Sequence, residues 1–326
     1  MPPTPQALPH NTQYDRQPKP KIILDCDPGH DDAIAILFAA QHCDILGITT
    51  VSGNVPLERT QFNARITAQI LGLDLPIYAG ADRPLLVEPL HAEFIHGESG
   101  LAGPKLPELC YSLEEQHAVD FIVETLRAHP DCYLVPTGPL TNIALALRKA
   151  PDIAQRVRAI SLMGGGVGFG NVTSTAEFNI YADPEAADIV FRSGARLLMC
   201  GLNLTHQYMF YPADIAKVRA IGNRAAQFTA DLLDFFSDMY AKRFFGRKEG
   251  PLHDPCAVMA ISHPELFGFE ARHVAIELTG QHTRGMTVVD ERGLEVAAPV
   301  NCQVAYSLDR DAAVALMLET IAAYAH

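Results

Sequence analysis

Four acidic side chains crowd one short stretch of this chain, between a predicted strand and a predicted helix. The stretch 21–32 reads KIILDCDPGHDD. Its apolar start suits a buried strand, its Pro-Gly pair breaks that strand, and the apolar run 33–40 that follows predicts a helix. The four acids are Asp25, Asp27, Asp31 and Asp32. In an open parallel sheet such a turn lies at the carboxyl edge of the strands, where ligands bind.

Two interpretations account for so many acids on one turn. Neighbouring carboxylates repel one another unless a positive group joins them, and a hard cation such as Ca²⁺ or Mg²⁺ prefers oxygen ligands of this kind. Alternatively, Asp31 and Asp32 only cap the helix, whose N-terminus carries partial positive charge, and Asp25 is a solvated strand end. This stretch alone leaves both interpretations open.

Strands and helices alternate through the first two thirds of the chain. The predicted strands are 22–25, 45–51, 76–79, 132–136, 159–163 and 196–201. The predicted helices are 31–41, 58–71, 115–128, 141–149 and 184–192. The strands are continuously apolar, which is typical of burial on both faces. The pattern predicts an α/β fold, with a doubly wound, mainly parallel sheet flanked by helices in a single domain.

The pattern changes after residue 205. Helices are predicted over 212–221, 225–244, 254–262 and 309–324. The segments 272–279, 285–290 and 301–306 are predicted to be strands of a small antiparallel addition. Residues 1–20 contain six prolines and are predicted to form a disordered tail, which leaves 21–326 as the folded domain.

Charge and cysteine content exclude several classes of protein. The formal net charge is −13, and the sequence holds no block of basic residues, which argues against nucleic-acid and membrane partners. No apolar run reaches the ~18 residues that a membrane span needs. The seven cysteines are scattered without a CxxC pair, which favours reduced thiols in a cytoplasmic protein.

Polar clusters recur where the predicted strands end, and each has an ordinary explanation as a turn or a cap. The glycine run 164–166 lacks the spacing of a phosphate-binding loop. Together, however, the clusters make the chain resemble the inosine–uridine preferring nucleoside hydrolases over about residues 21–326. The motifs that carry this resemblance are DCDPGHDDA (25–33), ITTVSGN (48–54), HGESG (96–100), VPTGPLTN (135–142), LMGGG (162–166), AEFN (176–179), DPEAA (183–187) and HDPCA (253–257).

The resemblance implies an enzyme that cleaves the N-glycosidic bond of ribonucleosides with water, through an oxocarbenium-like transition state. It implies a bound Ca²⁺ held by the carboxylates of Asp27, Asp32 and Asp254 and by the backbone carbonyl of Thr137. Asp27 would also be the base that activates the water, because Ca²⁺ acidifies water only modestly. His253, next to a metal ligand, is expected to protonate the departing base.

The resemblance also implies a set of substrate contacts. Asp31 and Asn54 would hold the ribose 2′- and 3′-hydroxyls, and Glu177 and Asn179 the 5′-hydroxyl. The remaining predicted contacts are Asn171, Phe178 and the backbone of Met163 near the sugar, and His96, Tyr240 and Arg243 near the base. His96 is also the second choice for the acid. His30, at the variable position of DPGxDD, is expected to make no contact with the proposed chemistry.

The partner expected from this resemblance is a small ribonucleoside such as uridine, cytidine or inosine, and the protein is expected to form a homodimer or homotetramer. GPLHDPC and the loop VGFGN suggest the pyrimidine-preferring branch. One competing interpretation is a Mg²⁺-dependent phosphohydrolase, which also carries Asp-x-Asp after its first strand. Four acids without a nearby phosphate-binding lysine argue against it. Another is a nucleoside-binding protein without turnover, although every residue that hydrolysis requires is present.

Overall fold

The structure is a computed structural model that describes residues 18–292 and 298–325, except the side chains of Phe244 and Phe245. The predicted tail therefore lies outside the described residues, apart from 18–20. The strands are β1 Lys21–Cys26, β2 Asp44–Thr50, β3 Ile77–Ala79, β4 Tyr133–Pro136, β5 Ile160–Met163, β6 Leu197–Cys200, β7 Met209–Phe210, β8 Gly250–Pro251, β9 Phe267–Arg272, β10 Val274–Ile276, β11 Thr287–Val289 and β12 Cys302–Leu308.

The α-helices occupy the connections between these strands. They are α1 His30–His42, α2 Leu57–Leu71, α3 Glu93–His96, α4 Ala118–Ala128, α5 Thr141–Lys149, α6 Phe178–Ala182, α7 Pro184–Phe191, α8 Leu202–Thr205, α9 Pro212–Ile221, α10 Arg224–Tyr240, α11 Pro255–Ser262 and α12 Arg310–Ala322. None of the helices in the part of the chain described here has both the length and the apolar character to cross a membrane.

Eight strands form the central sheet, in the order β3-β2-β1-β4-β5-β6-β12-β9. Seven of them run parallel, and β9 joins antiparallel at one edge. The predicted doubly wound, mainly parallel α/β fold in a single domain is confirmed. After β1 the chain moves outward to β2 and β3 and then returns to place β4 on the other side of β1. A ligand crevice is expected at this switch point, outside the carboxyl ends of β1 and β4.

Two layers of helices cover the sheet because its strands are apolar on both faces. Helices α1, α2 and α9–α12 contribute to one buried core, and α4, α5 and α7 contribute to the other. The central strand β1 supplies both, since Ile22 and Leu24 belong to the first core and Ile23 to the second. A strand anchored on both faces holds the turn that follows it in a fixed position.

Three predicted elements in the last third of the chain differ from the structure. The predicted strand 272–279 is divided at His273, so that β9 lies in the main sheet and β10 pairs with β11 in a separate antiparallel ribbon. The predicted strand 301–306 is wrong as a part of that addition, because β12 inserts between β6 and β9. Helix α10 ends at Tyr240, and a π-helical turn covers 241–245.

Candidate functional site

The acid-rich turn connects β1 to α1, and its carboxylates divide into two groups. Asp25 points away from the crevice and accepts hydrogen bonds from the Thr49 hydroxyl at 2.6 Å and the Asn142 amide at 2.8 Å. These contacts join β1 to β2 and to α5, although burial still raises the Asp25 pKa to about 7. Asp25 is fully buried, so it is not the solvated strand end of the simpler interpretation.

Three buried carboxylates meet where the N-termini of α1 and α11 face each other. One oxygen each of Asp31, Asp32 and Asp254 lies within 4.8 Å of the other two. Asp32 also accepts a hydrogen bond from the backbone N–H of Gly29 at 3.0 Å, so it closes the first turn of α1 as well. Helix capping and a cation cluster are therefore compatible in this structure.

Asp27 lies beside this cluster, between two glycines that leave room for its carboxylate. Its Oδ2 accepts a hydrogen bond from the Asn54 backbone N–H at 2.7 Å. Its Oδ1 is buried and has no hydrogen-bond partner among the described residues. A Cβ atom at Gly53 would lie 2.0 Å from Oδ2, and one at Gly138 would lie 2.5 Å from Oδ1. The two glycines therefore fix the position of this carboxylate.

Thr137 follows β4 and joins the cluster from the other side of the crevice. Its hydroxyl donates to Asp32 Oδ1 at 2.8 Å, and its carbonyl accepts from the Asn179 amide at 2.7 Å. A carbonyl oxygen has a second lone pair, so this hydrogen bond leaves room for another partner. The orphaned oxygen of Asp27, the three clustered carboxylates and this carbonyl fit the oxygen ligands of a hard divalent cation.

The pKa values of these acids reflect the same crowding. Burial first, and then repulsion from Asp32, raises the pKa of Asp31 to about 7. The pKa values of Asp27 and Asp254 are raised well above their usual range, again by burial first and by neighbouring carboxylates after it. Buried carboxylates are stable as anions only with a compensating positive charge, which is what a bound cation would provide.

A pocket opens from the cluster, and most of the predicted substrate contacts line it. The predicted residues along its wall are Asp31, Asn54, His96, Thr137, Met163, Asn171, Glu177, Phe178, Asn179, Tyr240, His253 and Asp254. The structure therefore brings residues from positions 31 to 254 of the chain to one place. Asp27 and Asp32 do not line the pocket, although Asp32 is clustered with Asp31 and Asp254, which do.

Hydrogen bonds with backbone groups hold the polar residues on one side of the pocket. Glu177 accepts from the backbone N–H groups of Gly165 at 2.8 Å, Asn179 at 2.9 Å and Ile180 at 3.1 Å, which fixes both of its oxygens. Burial nevertheless raises the Glu177 pKa to about 7. The Asn171 side-chain oxygen accepts from the Phe178 N–H at 2.9 Å. These side chains are therefore already oriented before any ligand arrives.

His253 is held at both ring nitrogens on the opposite side of the pocket. Its Nδ1 lies 2.7 Å from the Thr205 hydroxyl, and its Nε2 lies 2.8 Å from the Tyr240 hydroxyl. Burial, reinforced by His206, lowers the His253 pKa well below its usual value. His253 is therefore neutral near pH 7, and any proton that it moves passes through one of these two hydroxyls.

Arg243 is the one predicted contact that the structure does not place on the pocket wall. Its guanidinium instead lies 4.9 Å from the ring centre of Phe94, a half-buried residue of α3 that itself lines the pocket. Sequence reasoning missed the apolar residues of the wall, which include Phe94, Ile95 and Phe236. Helix α3 is too short to show a period, so no pattern in the sequence pointed to Phe94 or Ile95.

His30 does not line the pocket, but it lies directly behind one of the wall residues. Its Nδ1 lies 2.9 Å from Nδ1 of His96, which lines the pocket. His30 therefore contacts a residue proposed for the chemistry, although its own side chain is buried behind the pocket wall. Nothing in the motif indicated this contact, because the two histidines are 66 residues apart.

Comparisons with known proteins agree over most of the chain. Residues 22–315 match the family described as inosine-uridine preferring nucleoside hydrolase. The chain is 46% identical over 307 residues to a pyrimidine-specific ribonucleoside hydrolase of Photobacterium profundum, covering 93% of this chain and 99% of that protein. A protein of the same description from Shewanella oneidensis is 45% identical, with 93% of this chain and 96% of that protein covered.

Solved structures show the same similarity. A purine-preferring ribonucleoside hydrolase from Gardnerella vaginalis superposes with a TM-score of 0.86 at 35% identity, covering 93% of this chain and 98% of that one. A plant nucleoside hydrolase gives 0.87 at 30% identity, covering 94% and 100%. These similarities argue against the phosphohydrolase and against the nucleoside-binding protein without turnover. The chain therefore belongs to the inosine–uridine preferring nucleoside hydrolase family and is a ribonucleoside hydrolase.

Proposed function

We propose that the protein hydrolyses pyrimidine ribonucleosides, uridine and cytidine before inosine, to free base and ribose. One observation carries the proposal: a single pocket joins the buried acid cluster of Asp31 and Asp254 to the imidazoles of His96 and His253. The acid end suits a cationic sugar, and the imidazole end suits a polar base. The pyrimidine preference follows the two relatives described as pyrimidine-specific.

The metal ion would be held by the carboxylates of Asp27, Asp32 and Asp254 and by the carbonyl of Thr137. Asp31 lies in the same cluster, close to Asp32 and Asp254. Oxygen ligands of this number and charge favour Ca²⁺. When bound, the ion lowers the pKa of water and binds the sugar hydroxyls. The orphaned Oδ1 of Asp27 supports this assignment, because a buried oxygen without a partner is costly.

Asp27 is the group that takes the proton from the attacking water. The Asn54 N–H holds its carboxylate in one orientation, next to the proposed metal site. The water oxygen forms a bond to C1′ of the ribose as the bond from C1′ to the base nitrogen breaks. Asp31, Asn54, Glu177 and Asn179 hold the ribose hydroxyls and so position C1′ for this attack.

The departing base requires a proton, and His253 with Tyr240 is the pair placed to supply it. His253 was predicted from the sequence to donate directly. Because its Nε2 is hydrogen-bonded to the Tyr240 hydroxyl, we infer that Tyr240 delivers its hydroxyl proton to the base nitrogen and that the Nε2–H of His253 stabilises the phenolate left behind. The phenolate regains a proton from water after the base has left. The neutral state of His253 supports this arrangement, since a neutral imidazole keeps one N–H to donate.

The first test is the release of ribose and free base. Purified protein should release equal amounts of both from uridine and cytidine, at a kcat/KM above that for inosine. The 2′-deoxy analogue of uridine should react more slowly by about 10²-fold or more, because buried ligands of the hydroxyl would be left unpaired. Elemental analysis should find Ca²⁺ with the protein. Equal rates on uridine and deoxyuridine would contradict the ribose contacts, and a stoichiometric transition metal would contradict the choice of ion.

Two further expectations concern the cell and the assembly. We infer a cytoplasmic location, and it is supported by seven free cysteines, of which six are buried. We infer a homodimer or homotetramer from the resemblance to the family. Sedimentation of the purified protein measures the second directly, and a monomer at micromolar concentration would overturn it.

A further inference from the structure

His30 occupies the first turn of α1 and is almost fully buried, at 1% exposure. Its Nε2 lies 2.8 Å from the carbonyl oxygen of Ala102, and its Nδ1 lies 2.9 Å from Nδ1 of His96. Its ring also stacks on Phe235, with ring centres 5.2 Å apart and planes inclined by 3°. Both ring nitrogens are therefore paired, and the ring is packed against Phe235, so it is not free to rotate.

His96 needs an external support because its own helix is very short. Helix α3 has four residues, too few to be stable alone. Its buried residue Ile95 packs in a small cluster with Phe236 and Tyr240 that is separate from the two main cores. Helix α1, in contrast, has 13 residues and is packed in the larger core. The contact from His30 thus joins a weakly supported wall of the pocket to a firmly supported helix.

The contact also determines which atom of His96 faces the pocket. Nδ1 of His96 is occupied by the ring of His30. Because His30 donates its Nε2–H to the Ala102 carbonyl, its Nδ1 accepts, and Nδ1 of His96 donates to it. Nε2 is the ring nitrogen that remains for a ligand. A half-turn of the His96 ring about its Cβ–Cγ bond would put Cε1 in the place of Nε2 and Cδ2 in the place of Nδ1, and the hydrogen bond with His30 opposes that rotation.

We propose that His30 is a positioning residue, which acts through His96 to hold Nε2 of that ring toward the base of a bound nucleoside. The proposal rests on the proposed function of the pocket, and it adds a residue to the base-recognition end. Replacing His30 should therefore affect only those steps in which His96 contacts the leaving base. It should not affect the binding of the ribose or the attack of water.

A double-mutant cycle tests the coupling between the two histidines. His30→Leu and His96→Ala should each lower kcat/KM for uridine by about tenfold, and the double variant should lose little more than either alone, because both changes remove one interaction. His30→Asn, which keeps a polar atom near the position of Nδ1, should recover part of the loss. His30→Leu should stay close to wild type on p-nitrophenyl riboside, whose leaving group needs no proton.

His42→Leu is the matched control, since it removes a histidine from the far end of the same helix. His42 is paired with the Thr320 hydroxyl at 2.7 Å and stacks on Phe38, but it is remote from the pocket. It should lower the melting temperature about as much as His30→Leu and leave both substrates unaffected. Additive losses in the cycle, or equal losses of His30→Leu on uridine and p-nitrophenyl riboside, would overturn the role of His30.

A spectroscopic measurement separates this inference from the proposed function. The ¹⁵N and ¹³C resonances of the His96 ring should shift in His30→Leu and stay in place in His42→Leu. Unchanged His96 resonances in His30→Leu overturn the inference whatever the enzyme does. A wild-type protein that releases no base from any ribonucleoside, but whose His96 resonances respond to His30, overturns the proposed function and leaves the structural coupling supported.

Discussion

At the scale of single residues, the side chains of the site are held in one conformation by hydrogen bonds and close packing. His253 is bound at both ring nitrogens, Glu177 at both oxygens, and the Asp27 carboxylate is confined by two glycines. Such contacts reduce the reorganisation that a reaction requires, because the groups already lie where charge develops. The buried acids carry the cost, because burial first and neighbouring carboxylates after it raise the pKa values of Asp27 and Asp254.

Tyr240→Phe tests which group gives the proton to the base. If Tyr240 delivers it, the variant should lose about 10²–10⁴-fold in kcat on uridine, as should His253→Ala, because both interrupt one route. Neither variant should lose much on p-nitrophenyl riboside. Steady-state rates on the two substrates measure the difference.

Thr205→Val is the control for this comparison. It removes the hydroxyl at Nδ1 of His253 and leaves the Tyr240 contact intact. Its loss on uridine should be smaller than that of Tyr240→Phe. If Tyr240→Phe keeps wild-type activity while His253→Ala does not, His253 donates directly and Tyr240 only orients it.

At the scale of elements, the cluster exists because two helices begin at the same point. Helix α1 brings Asp31 and Asp32, and Asp254 immediately precedes α11. The positive end of each helix dipole favours these carboxylates, but the stabilisation of about 0.3–1 kcal/mol per charge is too small to offset several buried anions. The elements therefore create a repulsion that a cation must relieve.

Asp254→Asn should separate stability from function. In protein treated with a chelator, the variant should melt at a temperature equal to or above that of the wild type, because one repelling carboxylate is gone. Added Ca²⁺ at a concentration 100 times Kd should raise the free energy of unfolding of the wild type by about 2.7 kcal/mol, and its melting temperature with it. The same Ca²⁺ should raise the melting temperature of the variant much less. Differential scanning calorimetry measures both effects.

Asp311→Asn is a suitable control because its side chain is 93% exposed and far from the cluster. It should change neither the melting temperature nor the response to Ca²⁺. A wild-type melting temperature that is insensitive to Ca²⁺ would contradict the metal site, and so would a large destabilisation of metal-free Asp254→Asn.

The elements also explain how much the sequence could predict. The strand, turn and helix around Asp27 are local, so the periodicity and the Pro-Gly break were enough to place them. The contacts of Tyr240 with His253 and of His30 with His96 depend on the packing of α10 and α3 against α1, which no local pattern records. Arg243 shows the same limit, because it follows α10 in a π-helical turn and stacks on Phe94 without lining the pocket itself.

At the scale of the whole molecule, the sheet depends on a strand near the end of the chain. Strand β12 pairs parallel with β6 on one side and antiparallel with β9 on the other. The sequence predicted this strand as part of a small antiparallel addition, but the sequence of a strand does not reveal its partner. Register and neighbours are set by long-range packing, so this part of the topology was beyond sequence reasoning.

A chain that ends at residue 300 should therefore fail to form soluble protein. The truncation removes β12 and α12, which leaves β6 with an open edge and β9 with no partner in the sheet. Removal of residues 1–17, which come from the predicted tail, is the control of comparable size and should leave solubility and activity unchanged. The test is to express both truncations and to measure the soluble fraction of each. A soluble, cooperatively melting 1–300 chain would contradict the importance of β12.

The late position of β12 has a consequence for the protein while the ribosome is still making it. Strand β6 ends at Cys200 and its partner begins at Cys302, so about 100 residues must be added before the two can pair. At 5–20 residues per second this takes on the order of ten seconds. During that interval the nascent chain presents an unpaired apolar strand edge, which other chains can join. Slower initiation, lower temperature or more abundant chaperones should each raise the yield of active enzyme without changing its sequence.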